Sequence, residues 1–267
     1  MSLDAGIGVA AESHIDLPFG RGRIALKTWH AGAPGVPIVA IHGWMDNAAT
    51  FDRMAPLMHG HPFVAMDLPG HGPSAARPAG VRYHNADYSD DVLAVLDALY
   101  SQQKVILLGH SLGAGIQMML AGLLPERVQA LVMIEGLGPL TADPSNYVEM
   151  TRLALASYRD FRPGRKPIAD EALAVQARMN GITGALSEQA SRILCSRSLE
   201  RNAEGELVWR TDKRLRQNSL MRFSEAQVLA CIRAITVPVL LIRGQDGAPF
   251  EQAAGQARLQ AFVDLKQ

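Results

Sequence analysis

Short apolar runs alternate along this chain with stretches whose apolar residues recur at three- and four-residue intervals. That is the pattern of strands alternating with helices. Arg23 to Trp29 reads as an early strand, and Pro37 to Ile41 as a buried one ending at His42-Gly43. Pro62 to Met66 is another, ending at Asp67-Leu68-Pro69-Gly70. From about Ala86 to Gln102 the residues Val92, Val95, Leu96 and Leu99 mark a buried helical face, with Asn85 or Asp87 as its cap. Lys104 to Leu108 contains Val105-Ile106-Leu107-Leu108, apolar throughout, as a central strand covered on both faces must be. The next helix starts at the Ser111 turn, carries Leu112, Ile116, Leu120 and Leu123 on one face, and stops at Pro125. Ala130 to Ile134 and Val237 to Arg243 are the remaining clear strands.

Between those two strands lie about a hundred residues without a good strand pattern. Helical patterns fill them, near Ser145 to Tyr158, Asp170 to Asn180, Ser187 to Leu199 and Ser224 to Ile235. The expected fold class is therefore α/β, a mostly parallel sheet with helices on both faces and an inserted helical cap. The expected division is a core from 1–138, a cap from 139–229, and a second part of the core from 230–267. Phe250 to Phe262 suits a last helix, and Val263-Asp264-Leu265 reads as a strand just beginning. The expectation is that a final strand and a closing helix are missing.

Composition narrows the class of protein. The chain has 267 residues, 48% hydrophobic and 19% charged, ample for a large core. Twenty-six basic residues balance 26 acidic ones, so no global field favours nucleic acid or an anionic surface. The two cysteines, Cys195 and Cys231, read as reduced, packed thiols. The acidic N-terminal segment does not match a signal peptide, and no apolar run approaches the roughly 20 residues of a membrane span. The expected protein is soluble and cytoplasmic, with a small molecule as its partner. Residues 151–222 carry 14 Lys and Arg against 8 Asp and Glu. That surplus is either solvated helical surface or a lure for an anionic substrate.

The chemistry centres on Gly109-His110-Ser111-Leu112-Gly113. This G-x-S-x-G pattern follows a strand and opens a helix, where the nucleophile's turn is sharp and its neighbours must lack side chains. The helix N-terminus adds positive potential for an oxyanion. One oxyanion donor is the N–H of Leu112; the other is the N–H of Trp44, in the loop after the 37–41 strand.

Four segments together resemble the α/β-hydrolase superfamily: His42-Gly43-Trp44-Met45-Asp46, Asp67-Leu68-Pro69-Gly70-His71-Gly72, the Ser111 turn, and Arg243-Gly244-Gln245-Asp246-Gly247. Ile134-Glu135-Gly136-Leu137-Gly138-Pro139-Leu140 and Trp209-Arg210-Thr211-Asp212 make the chain similar to the serine hydrolase-like branch. The resemblance implies a Ser-His-acid triad with no metal and no organic cofactor. Asp246, after the 237–243 strand, stands where the superfamily places the acid; Glu135, at the end of the 130–134 strand, is the alternative. Met150, Met179, Met221 and Trp209 are candidate lining of the substrate pocket.

Histidine breaks the pattern. The fold orders its triad Ser, acid, His, yet the eight histidines (14, 30, 42, 59, 61, 71, 84 and 110) all precede Ser111. His110 is a poor base because adjacent side chains diverge at such a turn. His42 suits a buried structural role and His71 a turn. Two expectations follow: the 267 residues stop short of a C-terminal segment carrying the base, or the base is lost and the scaffold binds without catalysing. The first is preferred, because ending at Gln267 would bare an apolar sheet face. The expected activity is hydrolysis of a carboxylic ester or related acyl compound through an acyl-enzyme. Carbon–carbon bond hydrolysis by the same constellation and non-catalytic ligand binding are its rivals.

Overall fold

The computed structural model describes residues 10–181, 185–245 and 253–267. Its core is built from β1 (Ala11–Asp16), β2 (Arg23–Trp29), β3 (Ile38–Ile41), β4 (Phe63–Met66), α1 (Asn85–Tyr100), β5 (Val105–His110), α2 (Leu112–Leu123) and β6 (Val128–Ile134). The chain then leaves the sheet for α3 (Tyr147–Arg159), α4 (Glu171–Met179), α5 (Glu188–Ser198), β7 (Leu199–Arg201) and β8 (Leu207–Trp209). It returns through α6 (Glu225–Ala234), β9 (Val239–Ile242), α7 (Ala253–Ala261) and β10 (Leu265–Lys266).

Eight strands form one sheet in the order β1-β2-β4-β3-β5-β6-β9-β10. From β4 onward every pairing is parallel, while β1 and β2 add an antiparallel edge. Alternation along the strands splits the core in two. Val39, Ile41, Leu107, Leu131 and Leu241 face α1, α2 and α6 in one large cluster. Ile38, Ala40, Ala65 and Leu108 face Phe51 and Ala55, which lie on short 3₁₀ turns. Helical elements therefore cover the two faces unequally. On the thinner side Leu240 and Ile242 of β9 remain 39% and 44% exposed.

The expected elements recur with shifted ends. Asn85 begins α1 rather than capping it; the cap position is His84, which makes no side-chain cap bond, and Asp87 favours the first turn through the helix dipole. The insertion joins the core at a neck where Thr141 bridges Phe223 and the Ala142 N–H donates to Phe223 O at 3.0 Å. The expected boundary at 229 runs through α6. That helix belongs to the core, because Val228 and Ile232 are fully buried in the large cluster. The insertion also contains the β7–β8 hairpin, which closes through Asn202 and Gly205, the latter at φ +80°.

The insertion is fastened to the loops that follow β3 and β4. Asp67, fully buried, accepts from the Ala48 N–H at 2.8 Å and binds Arg197 of α5, Nε at 2.8 Å and Nη2 at 2.7 Å. Asn47 donates to Leu194 O at 2.9 Å and to Ser198 Oγ at 2.8 Å. Tyr83 donates its hydroxyl hydrogen to Asp212 at 2.8 Å. Among the described residues no helix is long and apolar enough to cross a membrane.

Removing Arg197 leaves Asp67 buried without its cation. Arg197→Leu should therefore lower unfolding stability by about 3–5 kcal/mol. Urea titration checks this, and a loss under about 1 kcal/mol, the worth of a surface pair, would contradict it.

Candidate active site

Ser111 occupies the single residue between β5 and α2, at φ 50° and ψ −110°, a conformation strained for any side-chain-bearing residue. The surroundings leave it no alternative. A Cβ on Gly113 would lie 2.1 Å from Ile41 O, and one on Gly109 would lie 2.4 Å from the Gly113 and Ala114 backbone. A Cβ on Gly136 would come within 2.7 Å of Ser111 O and Ala114 Cβ. The Ser111 N–H donates to Ile134 O at 2.9 Å, which ties the turn to the end of β6. The residue itself is exposed. Leu112 is the first residue of α2, whose first turn carries no acidic side chain, so the positive end of that helix is not neutralised locally.

The second expected donor lies in the turn after β3. The Asp46 N–H donates to Gly43 O at 3.0 Å, and Met45 takes φ +66° to close that turn. Trp44 is anchored by its indole N–H, which donates to Leu215 O in the cap at 3.2 Å. Asp46 pairs through Oδ1 with Arg178 of α4, while Oδ2 lies 3.6 Å from His110 Nδ1. The turn that carries Trp44 is thus held by the cap on one side and flanked by the residue before Ser111 on the other. The Asp46–Arg178 pair left no local signal in the sequence, because its members stand 132 positions apart.

Glu135 takes φ +50°, donates its N–H to Ile242 O at 3.0 Å, and accepts the Gly244 N–H on its carboxylate. It joins the end of β6 to the loop after β9. Asp246 lies outside the described residues. The candidate lining residues are dispersed: Met179 and Trp209 pack on the cap's own core of Ala174, Val175 and Cys195. Met221 is exposed and Met150 half-buried. Among the described residues, no three His, Cys, Asp or Glu side chains gather as a metal site would require.

Three histidines border the site. His42 accepts the Leu68 N–H on Nε2 at 3.1 Å, so its proton sits on Nδ1, 2.8 Å from Gly43 O. Its ring lies 4.9 Å from that of His71, whose Nδ1 is 3.3 Å from Pro69 O. Burial lowers the pKa of His42, of His71 especially, and of His110; the Glu135 charge opposes the shift at His110.

Comparison with known proteins places this geometry. A family model described as alpha/beta hydrolase fold matches residues 36–264. A probable serine hydrolase of Drosophila melanogaster is 32% identical over 228 residues, 84% of this chain and 69% of that protein. Serine hydrolase-like protein 2 of Homo sapiens is 31% identical over 253 residues, 92% of this chain and 79% of that one. A solved hypothetical protein of Pseudomonas aeruginosa PAO1 superposes with a TM-score of 0.85 at 36% identity, covering 96% of this chain and 89% of that one. A thioesterase domain from the curacin biosynthetic pathway superposes with a TM-score of 0.78 at 27% identity, covering 97% and 91%.

Two measurements test the site's physics. Gly113→Ala sets a methyl group against a backbone oxygen that cannot rotate away, and should cost about 3 kcal/mol. Gly60→Ala, where a Cβ meets open space, should change little in the same thermal melts. The histidines give a pH signature. Each has a folded pKa below its ordinary 6.5, so the unfolded chain binds protons first. Their stabilising contribution is complete above pH 6.5 and is lost as pH falls through the lowered folded values. The urea midpoint should drop between pH 7.5 and pH 5, and less steeply in His71→Gln; identical slopes would refute the assignment.

Proposed function

The chain belongs to the α/β-hydrolase family, in its serine hydrolase-like branch, and from that membership we propose that Ser111 is the nucleophile of a serine hydrolase. The reaction is cleavage of a carboxylic ester or related small acyl compound. Ser111 Oγ attacks the carbonyl carbon, the leaving group departs with a proton, and water then hydrolyses the acyl-enzyme. The observation that carries this reading is the strained, solvent-facing Ser111 at the N-terminus of α2. Such strain persists only where the surrounding structure imposes it, and it collects at reactive centres. The N–H groups of Leu112 and Trp44 are the oxyanion donors in this proposal. Carbon–carbon bond hydrolysis uses the same parts and differs only in the leaving group.

Asp246 is the proposed acid, orienting the base and stabilising its charged form. The support is its place in the sequence, four residues after the last residue of β9 and two after Gly244. Glu135 already spends its carboxylate on the Gly244 N–H, which suits a brace for that loop. A cytoplasmic location remains part of the proposal, resting on the two unpaired cysteines.

A second reading is favoured by one observation: all eight histidines precede Ser111. A scaffold without a base in order binds acyl compounds but does not turn them over. Fluorophosphonate labelling separates the two. The proposal expects slow labelling confined to Ser111, absent in Ser111→Ala and accelerated by added imidazole, because oxyanion donors alone retain about 10³–10⁴-fold catalysis. Asp246→Ala should blunt the imidazole effect more than Glu135→Ala. No labelling of folded protein, with or without imidazole, would favour the binding protein. Fast labelling without imidazole, lost in His110→Gln, would make His110 the base.

A further inference from the structure

A helix of 13 residues ordinarily hides an apolar stripe, yet α3 buries only Ala154. Val148, Leu153 and Leu155 are 57%, 57% and 54% exposed. Val148, Arg152, Leu155 and Arg159 follow one another at spacings of four, three and four, a single line along the helix. Arg152 and Arg159 form no ion pair among the described residues. The exposure continues at the neck of the cap, where Leu140 is 74% and Met221 68% exposed. Thr151 Oγ1 donates to Leu220 O at 3.3 Å, which sets that segment, with the exposed Arg222, beside α3. Across residues 139–166 and 220–222, six basic side chains stand against three acidic ones.

We propose that this outer line of α3 and the adjoining neck dock the protein onto an anionic lipid surface, with the helix lying in the plane of the interface. Apolar residues alternate here with arginines. Arginine is itself common at protein contacts, so what selects a lipid here is the local surplus of basic side chains. The spacing of arginines beside apolar residues fits that choice. It suits an interface in which Val148 and Leu155 enter the acyl boundary while arginine stems follow them and their guanidinium groups reach the phosphates. The whole chain is neutral, whereas these segments carry more basic than acidic side chains, the sign of charge that complements an anionic lipid surface. The inference does not rest on catalysis.

The test is co-sedimentation of the full chain with vesicles of phosphatidylcholine alone and with about 30% phosphatidylserine. The expected result is binding to the anionic vesicles only, released by high salt. Arg152→Glu with Arg159→Glu should weaken binding about tenfold or more, and Val148→Asp with Leu155→Asp should abolish it. Val148→Leu with Leu155→Met should retain it. Thermal unfolding of each variant confirms that these exposed changes leave the fold intact. Absence of binding, or equal binding by all variants, would overturn the proposal. So would a dimer in gel filtration that Val148→Asp with Leu155→Asp turns into a monomer, since a second copy would then be the occupant.

Discussion

The molecule depends on one backbone-to-backbone contact, the approach of the first turn of α2 to the end of β3. A Cβ on Gly113 would sit 2.1 Å from Ile41 O, so the helix seats as closely as it does only because position 113 has no side chain. From that approach the rest follows. The chain must leave β5 and enter α2 in one residue, which forces Ser111 to φ 50°. The same contact sets the N-terminus of α2 beside the loop that leaves β3, where a Cβ on Gly113 would also come within 2.8 Å of His42 O. Glycine's conformational freedom matters less here than its size: neither Gly109 nor Gly113 has a positive φ, and both are demanded by space.

Electrostatics attach the cap to the same frame. Asp46, Asn47 and Asp67 lie on the loops after β3 and β4, and each grips the cap: Arg178, the Leu194 and Ser198 pair, and Arg197 respectively. Pairs this buried add little net stability, because the ions surrender their hydration to meet. What they supply is position. The cap's own hydrophobic core is small, centred on Ala174, Val175 and Cys195, and cannot by itself specify how the insertion sits. Directional, desolvated pairs to three residues of the loops after β3 and β4 do so.

This also explains which features were legible in the sequence. The Ser111 turn is local, and its glycines and flanking apolar runs lie within a few residues of one another. The strands β3, β4 and β5 were legible because they are buried on both faces. β1 was not: its side chains are almost all exposed, and its Ala-Glu-Ser-His-Ile-Asp sequence gives no apolar alternation to read. The three-residue strands of the cap hairpin are too short for periodicity to register. The boundary expected at 229 falls inside α6 for a different reason. Val228 and Ile232 announce a buried face but do not say whether the cap or the core buries it. The Asp46–Arg178 and Asp67–Arg197 pairs have sequence separations of more than a hundred residues and leave no pattern at all.

The histidines bear on the chemistry most directly. A base that takes the serine proton must carry a positive charge through the transition state, so its surroundings must favour imidazolium. The three imidazoles around this site meet the opposite condition. Burial lowers the pKa of each. His42 spends Nε2 as an acceptor for the Leu68 N–H, and the buried Nε2 of His71 has no partner among the described residues. His110 stands near two carboxylates, but Asp46 is paired with Arg178 and Glu135 with the Gly244 N–H. Neither is left as a dedicated acceptor of the kind that stabilises a charged imidazole. The structure thus sets a strained Ser111 at the start of α2, among histidines whose burial disfavours the charged form. On the proposal that Ser111 is a nucleophile, these neighbours are poor candidates for its base, since each would have to hold a positive charge where burial opposes it.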